Sequence, residues 1–414
     1  MTALSKLDSV PALHNDHKDT AKNGIPPSKV DTWIYPPEVE NDLQGIPGLS
    51  DEAIRETLAA SWEYTRCVIP AYTNWDRYIA FYRVIIIGIV AEFNGSLIDV
   101  SSSDHILGYD MGELYDTLFG ELPGSARDEM ARDYRTFLLT TAEKTSNRRD
   151  SELFRRFVNS LATSPKNWFR IRDADALSRF TLVAALTCND FTDIWFSEDQ
   201  FQILAEIAGT LYDAVAFFKH RAEGETNNTY AYVDPSLRED AYRRAREVLW
   251  ALDVAWARSP GHLHAINFIR LVGGPVHMMM RRYRFIEDGL VIGKPETEQV
   301  VDLARHHYKL WNRVDSLVRP EGGDDGKAKD EGSYLDAIQQ KDRLLYEGLA
   351  ELLQEEEKCG RCRYKLSYGA ERSGQFGGVE LCEECRKGWG VYIASLPQRA
   401  ADAFPEIRGT QLRL

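Results

Sequence analysis

The chain is predicted to be all-α: one large helical bundle followed by a small module stapled by a metal. Three observations carry that reading. From residue 31 to about residue 320, apolar residues recur at spacings of three and four, the period of a helix with one buried face. No stretch alternates convincingly with period two, and no glycine-rich phosphate loop follows a strand. Near the C-terminus, four cysteines stand in two Cys-x-x-Cys pairs.

Length and charge narrow the functional classes. The 414 residues suffice for a large domain with ample core. Acidic residues outnumber basic ones, 64 to 50, for a net charge of −14. That balance argues against a nucleic-acid partner while leaving room for a local basic pocket that holds a phosphate. No N-terminal segment joins a charged start to an apolar stretch, so no secretory signal is expected. The most hydrophobic run, VIIIGIVAEF from Val84 to Phe93, is too short to span a bilayer. A cytoplasmic protein with no stable membrane insertion is the expectation.

Taken in order, residues 1–30 are polar and mixed and end in NGIPPSK, a composition expected to stay disordered. The helical domain is expected over 31–320. DEAIRETLAASWEYTRCVI opens with acids in its first turn. FYRVIIIGIVAEFNG is an apolar helix closed by a single acid, Glu92. That acid suits a metal ligand at the mouth of a greasy cavity, and suits a charge meeting solvent at a helix end equally well. EDQFQILAEIAGTLYDAVAFFKHRAE keeps the helical period for about seven turns, with Ser197 and Gln200 spaced as a capping box. LREDAYRRAREVLWALDVAWAR and GPVHMMMRRYRFIEDGL continue the pattern. The charged, glycine-rich segment 321–333 reads as a linker. One further helix, YLDAIQQKDRLLYEGLAELLQEEE, leads into the cysteines, so 334–414 is expected as helix plus module.

Cys359 and Cys362 (CGRC) are separated by nineteen residues from Cys382 and Cys385 (CEEC). In a reducing compartment this reads as a tetrahedral Zn²⁺ site, because a tight turn brings both sulfurs of each pair onto one ion; disulfides are the competing reading. Four thiolates close the coordination shell, so the ion is read as structural, and a tail this short needs it. Cys67 and Cys188, alone among apolar neighbours, are expected as buried free thiols.

The sharpest functional signal is LYDAVAFFKHRAEGETNN, Leu211 to Asn228. Residues three, four and seven apart share a helix face, so Asp213, Ala216, His220 and Glu223 form one stripe, with Tyr212 and Lys219 at its edges. Such a set can hold a divalent cation and an anion together. It can equally be a solvent-facing stripe with internal ion pairs. The stretch resembles an altered form of the second metal-binding motif of class I terpene synthases, Asn-Asp-x-x-Ser-x-x-Lys-Glu followed by Gly and Asn. Here it reads Tyr212, Asp213, Ala216, Lys219 and His220, then Gly224 and Asn228. Asp213 and Lys219 keep the motif, while the three metal-holding positions are replaced.

Flanking residues extend the resemblance. Upstream, NWFRIRDADAL stands where the family carries a diphosphate-sensing arginine, here Arg172 or else Arg170, with Asp173 or Asp175 after it. Downstream, Arg282-Tyr283 in HMMMRRYRF match the family's diphosphate-binding Arg-Tyr pair. The aspartate-rich DDxxD motif is missing from its expected place. NDFTDIW offers Asp190 and Asp193, but the family has only a surface turn there, so these two are read as loop chemistry.

Longer stretches, WEYTRCVIPAYTNWDRYIAF, LYDAVAFFKHRAEGETNNT, VGGPVHMMMRRYRF and YGAERSGQFGGVELCEECR, resemble the fungal α-ionylideneethane synthases of abscisic acid biosynthesis, over nearly all of residues 31–405. The resemblance implies a class I terpenoid-synthase-like bundle that converts farnesyl diphosphate to α-ionylideneethane with release of diphosphate. It implies catalytic Mg²⁺, with Glu92 and Asp213 as candidate ligands and Glu223 in reserve. Arg172 or Arg170, Lys219, Arg282 and Tyr283 are the implied holders of diphosphate. A route through neutral polyenes needs a base and an acid, and His220, whose imidazole can titrate near neutrality, is the candidate proton shuttle. Its competing reading is a structural partner of Asp213 or Glu223. Tyr78, Phe81 and Trp168 are cavity walls or plain core. The alternative for the whole chain is a non-catalytic helical scaffold that binds a partner through its zinc module.

Overall fold

The computed structural model describes residues 34–146, 151–160, 164–223, 227–231, 233, 237–280, 331–355, 359–363 and 379–409, the side chains of 218, 219, 221–223, 278 and 279 excepted. Among these residues the chain is all-α in sixteen helices, with one two-stranded hairpin. The disorder expected for 1–30 and most of the linker at 321–333 lie outside the described residues.

The bundle comprises α1 (Asp51–Val68), α2 (Trp75–Phe93), α3 (Met111–Phe119), α4 (Ala126–Lys144), α5 (Glu152–Asn159), α6 (Pro165–Asp175), α7 (Ser178–Thr187), α8 (Glu198–Glu223), α9 (Leu237–Ala255), α10 (Pro260–Val272) and α11 (Pro275–Met279). Starts are set by side-chain caps: Ser50 Oγ accepts from Ala53 N and Asn74 Oδ1 from Arg77 N. The capping box at α8 forms in full, with Gln200 N donating to Ser197 Oγ at 3.3 Å and Ser197 N to Gln200 Oε1 at 3.0 Å. α2 is buried on nearly every face, so it runs through the interior, where an all-round apolar helix belongs. It packs on α1, α3 and α4, while α6, α7 and α10 pack on α8.

The hairpin was not legible. His105–Ile106 pairs with Tyr109–Asp110, and two residues per strand are too few for a period to show. Its turn puts Leu107 and Gly108 at φ of 52° and 85°, the left-handed pair that suits a tight hairpin.

The single helix expected from Tyr334 is instead three: α12 (Gly332–Gln339), α13 (Lys341–Leu344) and α14 (Leu349–Gln354). Leu344, Leu345 and Tyr346 are all buried in sequence, which one face of a helix cannot achieve. Thr136 Oγ1 donates to Leu344 O at 3.1 Å and accepts from Tyr346 N at 3.0 Å, pinning the break onto α4. Gly348, at φ 88°, turns the chain into α14. The tail, with α15 (Glu383–Ala394) and α16 (Leu396–Ala403), shares the main core: Leu353, Leu396, Phe404 and Ile407 pack in one cluster with α2 and α8 residues. No helix among the described residues is long and apolar enough to cross a membrane.

Candidate active site

α6 and α8 meet at Arg172 and Asp213. Ser164 Oγ caps α6 by accepting from Asn167 N, with Pro165 in the first turn. The helix ends at Asp175, and Leu177 takes φ 51° before α7 begins, so the chain breaks just behind the arginine. Arg172 Nη2 donates to Asp213 Oδ1 at 2.7 Å and Nε to Oδ2 at 3.2 Å, a two-pronged pair. Its Nη1 donates to Asp175 Oδ2 at 2.5 Å. Arg172 is 4% exposed and Asp213 0%. Burial alone pushes the guanidinium down, but Asp213 and then Asp175 outweigh it and hold it above its ordinary value.

The chain beyond α8 folds back over this pair. Thr229 N and Oγ1 each donate to Asp213 Oδ2 at 2.8 Å, and Trp168 Nε1 donates to Thr229 Oγ1 at 3.1 Å. Asn227 Nδ2 donates to Asp175 Oδ1 at 2.8 Å, and Lys144 Nζ of α4 lies 3.7 Å from that same oxygen. Two cations, Arg172 and Lys144, thus stand against two carboxylates. Asp213 receives one hydrogen bond at Oδ1 and three at Oδ2, which fills an ionised carboxyl. As arranged here it does not fit a metal ion, and the expected ligand is instead the partner of an arginine fork.

His220 lies two turns beyond Asp213 and is buried, so this part of the stripe does not face solvent. Its Nδ1 is 2.8 Å from Asn228 Nδ2. The Tyr212 ring gathers the wall: the Arg172 guanidinium carbon is 5.7 Å from its centroid, the His220 ring 5.6 Å and the His277 ring of α11 4.8 Å. Lys219 and Glu223 fall on the last turns of α8, with side chains outside the described residues. Gly224, Arg282 and Tyr283 also lie outside them.

Glu92 ends α2, half-buried, at the same end of the bundle. Thr145 Oγ1 donates to Ala91 O at 2.5 Å. A Cβ at Gly95 would stand 2.4 Å from Ala142 O, so only glycine permits this approach. The ends of α2 and α4 are therefore in backbone contact, and Lys144 of α4 reaches Asp175. Asp190 is at the far end, before α2 begins, and the helix advances about 27 Å from there to Glu92. It accepts from Thr73 Oγ1 at 2.6 Å, Asn74 Nδ2 at 2.9 Å and Arg77 Nη1 at 3.1 Å. Those bonds, Thr73 first, hold its carboxyl below the ordinary range. It clasps two loops.

Arg170, the alternative sensor, belongs to another network: it donates to Asp133 Oδ1 at 2.5 Å and to Asp173 Oδ2 at 3.4 Å. Tyr78 and Phe81 are buried in the main core and Trp168 in a second cluster beneath the tail.

The four cysteine sulfurs lie within 4.8 Å of one another. Cys359 and Cys382 Sγ are 3.8 Å apart, close to the edge of a tetrahedron with metal–sulfur bonds of about 2.3 Å. The cluster can hold a metal ion, and it is the one grouping of three or more such ligands among the described residues. Arg363 and Glu380 bridge the two pairs through mutual N–H···O bonds of 2.9 Å. From Cys382 and Cys385, α15 carries Trp389 against Trp168 and Phe169, with centroids 6.3 and 6.0 Å away. The module therefore buttresses the tryptophan that holds Thr229. Cys67 and Cys188 are buried free thiols, and burial pushes Cys67 up to about 12.

Lys144, Asn227, Thr229 and His277 escaped the sequence reading. The run TNNT after α8 is rich in turn formers whose side chains cap backbone groups, and that is the signal from which a returning loop could have been suspected.

Similarity to known proteins agrees with this geometry. A family model described as alpha-ionylideneethane synthase aba3 matches residues 31–406. An alpha-ionylideneethane synthase aba3 of Botryotinia fuckeliana (strain B05.10) is 56% identical over 380 residues, 91% of this chain and 84% of that one. One named abl3 from Leptosphaeria maculans is 54% identical over 378 residues, 91% and 86% of the two chains. Another abl3, from Pyricularia oryzae, is 48% identical over 439 aligned residues, 92% and 84% of the chains. Matched from end to end of its described bundle and through its cysteine tail, the chain belongs to the α-ionylideneethane synthase family.

Proposed function

We propose that the protein is a sesquiterpene synthase that converts farnesyl diphosphate to α-ionylideneethane, releasing diphosphate, in fungal abscisic acid biosynthesis. The observation that carries this is the buried guanidinium of Arg172, held at a helix end by carboxylates that an anionic ligand can replace. Cleavage of the allylic C–O bond leaves its electron pair on diphosphate, and the carbocation loses a proton overall to give a C15 hydrocarbon. Arginine suits the leaving group because its planar fork pairs with phosphate oxygens. Lys144, Lys219, Arg282 and Tyr283 are the further anion-holders, with Arg170 kept for structure. Burial of His220 and His277 against the partly buried Tyr212 helps keep water from the cation.

Dependence on Mg²⁺, which would neutralise diphosphate charge, is part of the proposal. Glu92 is the described carboxylate offered to it, Glu223 the reserve, and Asp213 joins only if Arg172 lets go. The cysteine cluster is proposed to hold Zn²⁺ as a structural ion. A reducing compartment, the cytoplasm, is proposed with it because unpaired cysteines and thiolate-held zinc suit one. The test is to incubate purified protein with farnesyl diphosphate, with Mg²⁺ or with EDTA, and to analyse the hexane extract by mass spectrometry. A C15 hydrocarbon formed only with metal supports the reading; none from folded protein at saturating metal rejects it.

A further inference from the structure

We propose that Asn228 holds His220 as a neutral imidazole with its proton on Nε2, so that His220 serves as a fixed hydrogen-bond donor and not as a proton shuttle. The Asn228 amide can be oriented without ambiguity. Its Oδ1 accepts from Tyr230 N at 2.9 Å, and a backbone N–H can only donate. Nδ2 is therefore the NH₂ group. It donates to Asp213 O at 3.1 Å and lies 2.8 Å from His220 Nδ1. With one amide hydrogen on the carbonyl, the other points at Nδ1, which must offer a lone pair.

A proton on Nδ1 would set N–H against N–H at 2.8 Å between side chains that are 5% and 0% exposed. Such an unpaired contact is costly where water cannot relieve it. In a neutral imidazole one nitrogen accepts and the other donates. Nε2 thus carries the proton, and any further polar contact of the ring is made as a donor. Asp213 turns its carboxylate to Arg172 and Thr229 and offers the Asn228 amide only its backbone oxygen. Tyr212 packs on both His220 and His277, Arg172 lies across Tyr212, and Arg238 of α9 sits over Phe217.

His220 and Arg172 share Tyr212 as a neighbour, so an Nε2–H donor belongs to the anion-holding wall and would meet a diphosphate oxygen. That role rests on the proposed function, whereas the tautomer does not. Asn228 is then a positioning residue, acting through the ring it orients. The tautomer is read by long-range ¹H–¹⁵N correlation on protein labelled with ¹⁵N-histidine, His220 being assigned from the spectrum of His220→Gln. The expected result is an unprotonated Nδ1 and a protonated Nε2, unchanged from about pH 5 to 8, the range in which an ordinary histidine changes charge. A proton on Nδ1, or conversion to imidazolium in that range, overturns the inference. Asn228→Asp supplies a carboxylate for Nδ1–H and should let the ring charge there; if that variant does not fold, the wild-type spectrum still decides.

Turnover tests the role. Glutamine can place an N–H donor near the position of Nε2 but cannot shuttle a proton. His220→Ala is expected to lose about 10²–10³-fold, the cost of one donor to a developing anion, with His220→Gln milder by at least about tenfold. Equal losses in the two variants overturn the donor role. Absence of any hydrocarbon from the wild type would reject the proposed function while the spectrum continues to decide the tautomer.

Discussion

Two buried networks of arginine and aspartate grow from the same short helix, and they differ in what closes them. On α6, Arg170 and Arg172 are two residues apart, about 200° around the axis, so they point to opposite sides. Each keeps an aspartate three residues on: Asp173 for Arg170 and Asp175 for Arg172. The Arg170 side is closed by helices. Asp133 of α4 accepts from Arg170, and Arg179 of α7 donates to Asp173 Oδ2 at 2.7 Å and to both oxygens of Glu198, at 2.7 and 3.0 Å. Tyr346 places its ring 3.9 Å from the Arg170 guanidinium carbon. The Arg172 side is roofed instead by Asn227, Asn228 and Thr229, a returning segment outside the long helices. A network spanning four helices fixes their packing; the one roofed by a short segment is the one proposed to exchange its carboxylates for diphosphate. Burial of an ion pair does not by itself mark a site, and the nature of the lid does.

The largest expected effect separates the two sides directly. Removing either arginine takes a cation from buried carboxylates and leaves them only partly compensated, by Arg179 on one side and by Lys144 and Thr229 on the other. Each removal should cost up to about 3–5 kcal/mol in denaturant unfolding. Only Arg172→Ala should also abolish chemistry, lowering turnover with farnesyl diphosphate by at least about 10³-fold. Arg170→Ala, assayed at a temperature where it remains folded, should turn over close to the wild type. Comparable turnover losses at matched folded fractions would erase the distinction and return Arg170 to the diphosphate site.

A smaller effect probes the roof. Thr229→Val keeps the side-chain shape but removes the hydroxyl that joins Trp168 Nε1 to Asp213 Oδ2. A hydrogen bond to a charged group contributes about 1.5–3 kcal/mol, so stability should fall by that much in urea titration. No measurable change would mean that the roof hydroxyl does not hold the pair, and that Thr229 N alone suffices.

These contrasts also explain what could be read in advance. The long helices of the bundle were legible from their sequence: α2 and α8 announce themselves through long apolar patterns, and Ser197 with Gln200 marks the start of α8 where it is found. The broken segment after Tyr334 was not, since the bond from Tyr346 N to Thr136 that pins the break acts across 210 residues of chain. The pairing of Arg172 with Asp213 has the same origin. Residue type and order single out both side chains, but only the packing of α6 on α8 makes the carboxylate an arginine's partner. His220 was legible as a polar residue on the Asp213 face, while its protonation depends on an amide eight residues on whose orientation a turn fixes.

The smallest effect tests how the helix-closed network meets water. Glu198 is its exposed end, with 64% of the side chain accessible. Partial burial raises its carboxyl, but the hydrogen bonds and charge of Arg179 prevail and hold it below its ordinary value of 4.5. A depressed acid stabilises the fold above its unfolded value and loses that contribution as pH falls through the folded one. Wild type should therefore lose thermal stability below about pH 4.5, and Glu198→Gln should lose less over the same interval. Because solvent screens the pair, the difference should stay below about 1 kcal/mol. The same titration on Arg172→Ala should keep the Glu198 step, since no bond joins Arg172 to Arg179 or Glu198 among the described contacts. Loss of that step would show that the two sides of α6 act as one unit, and would break the comparison at its root.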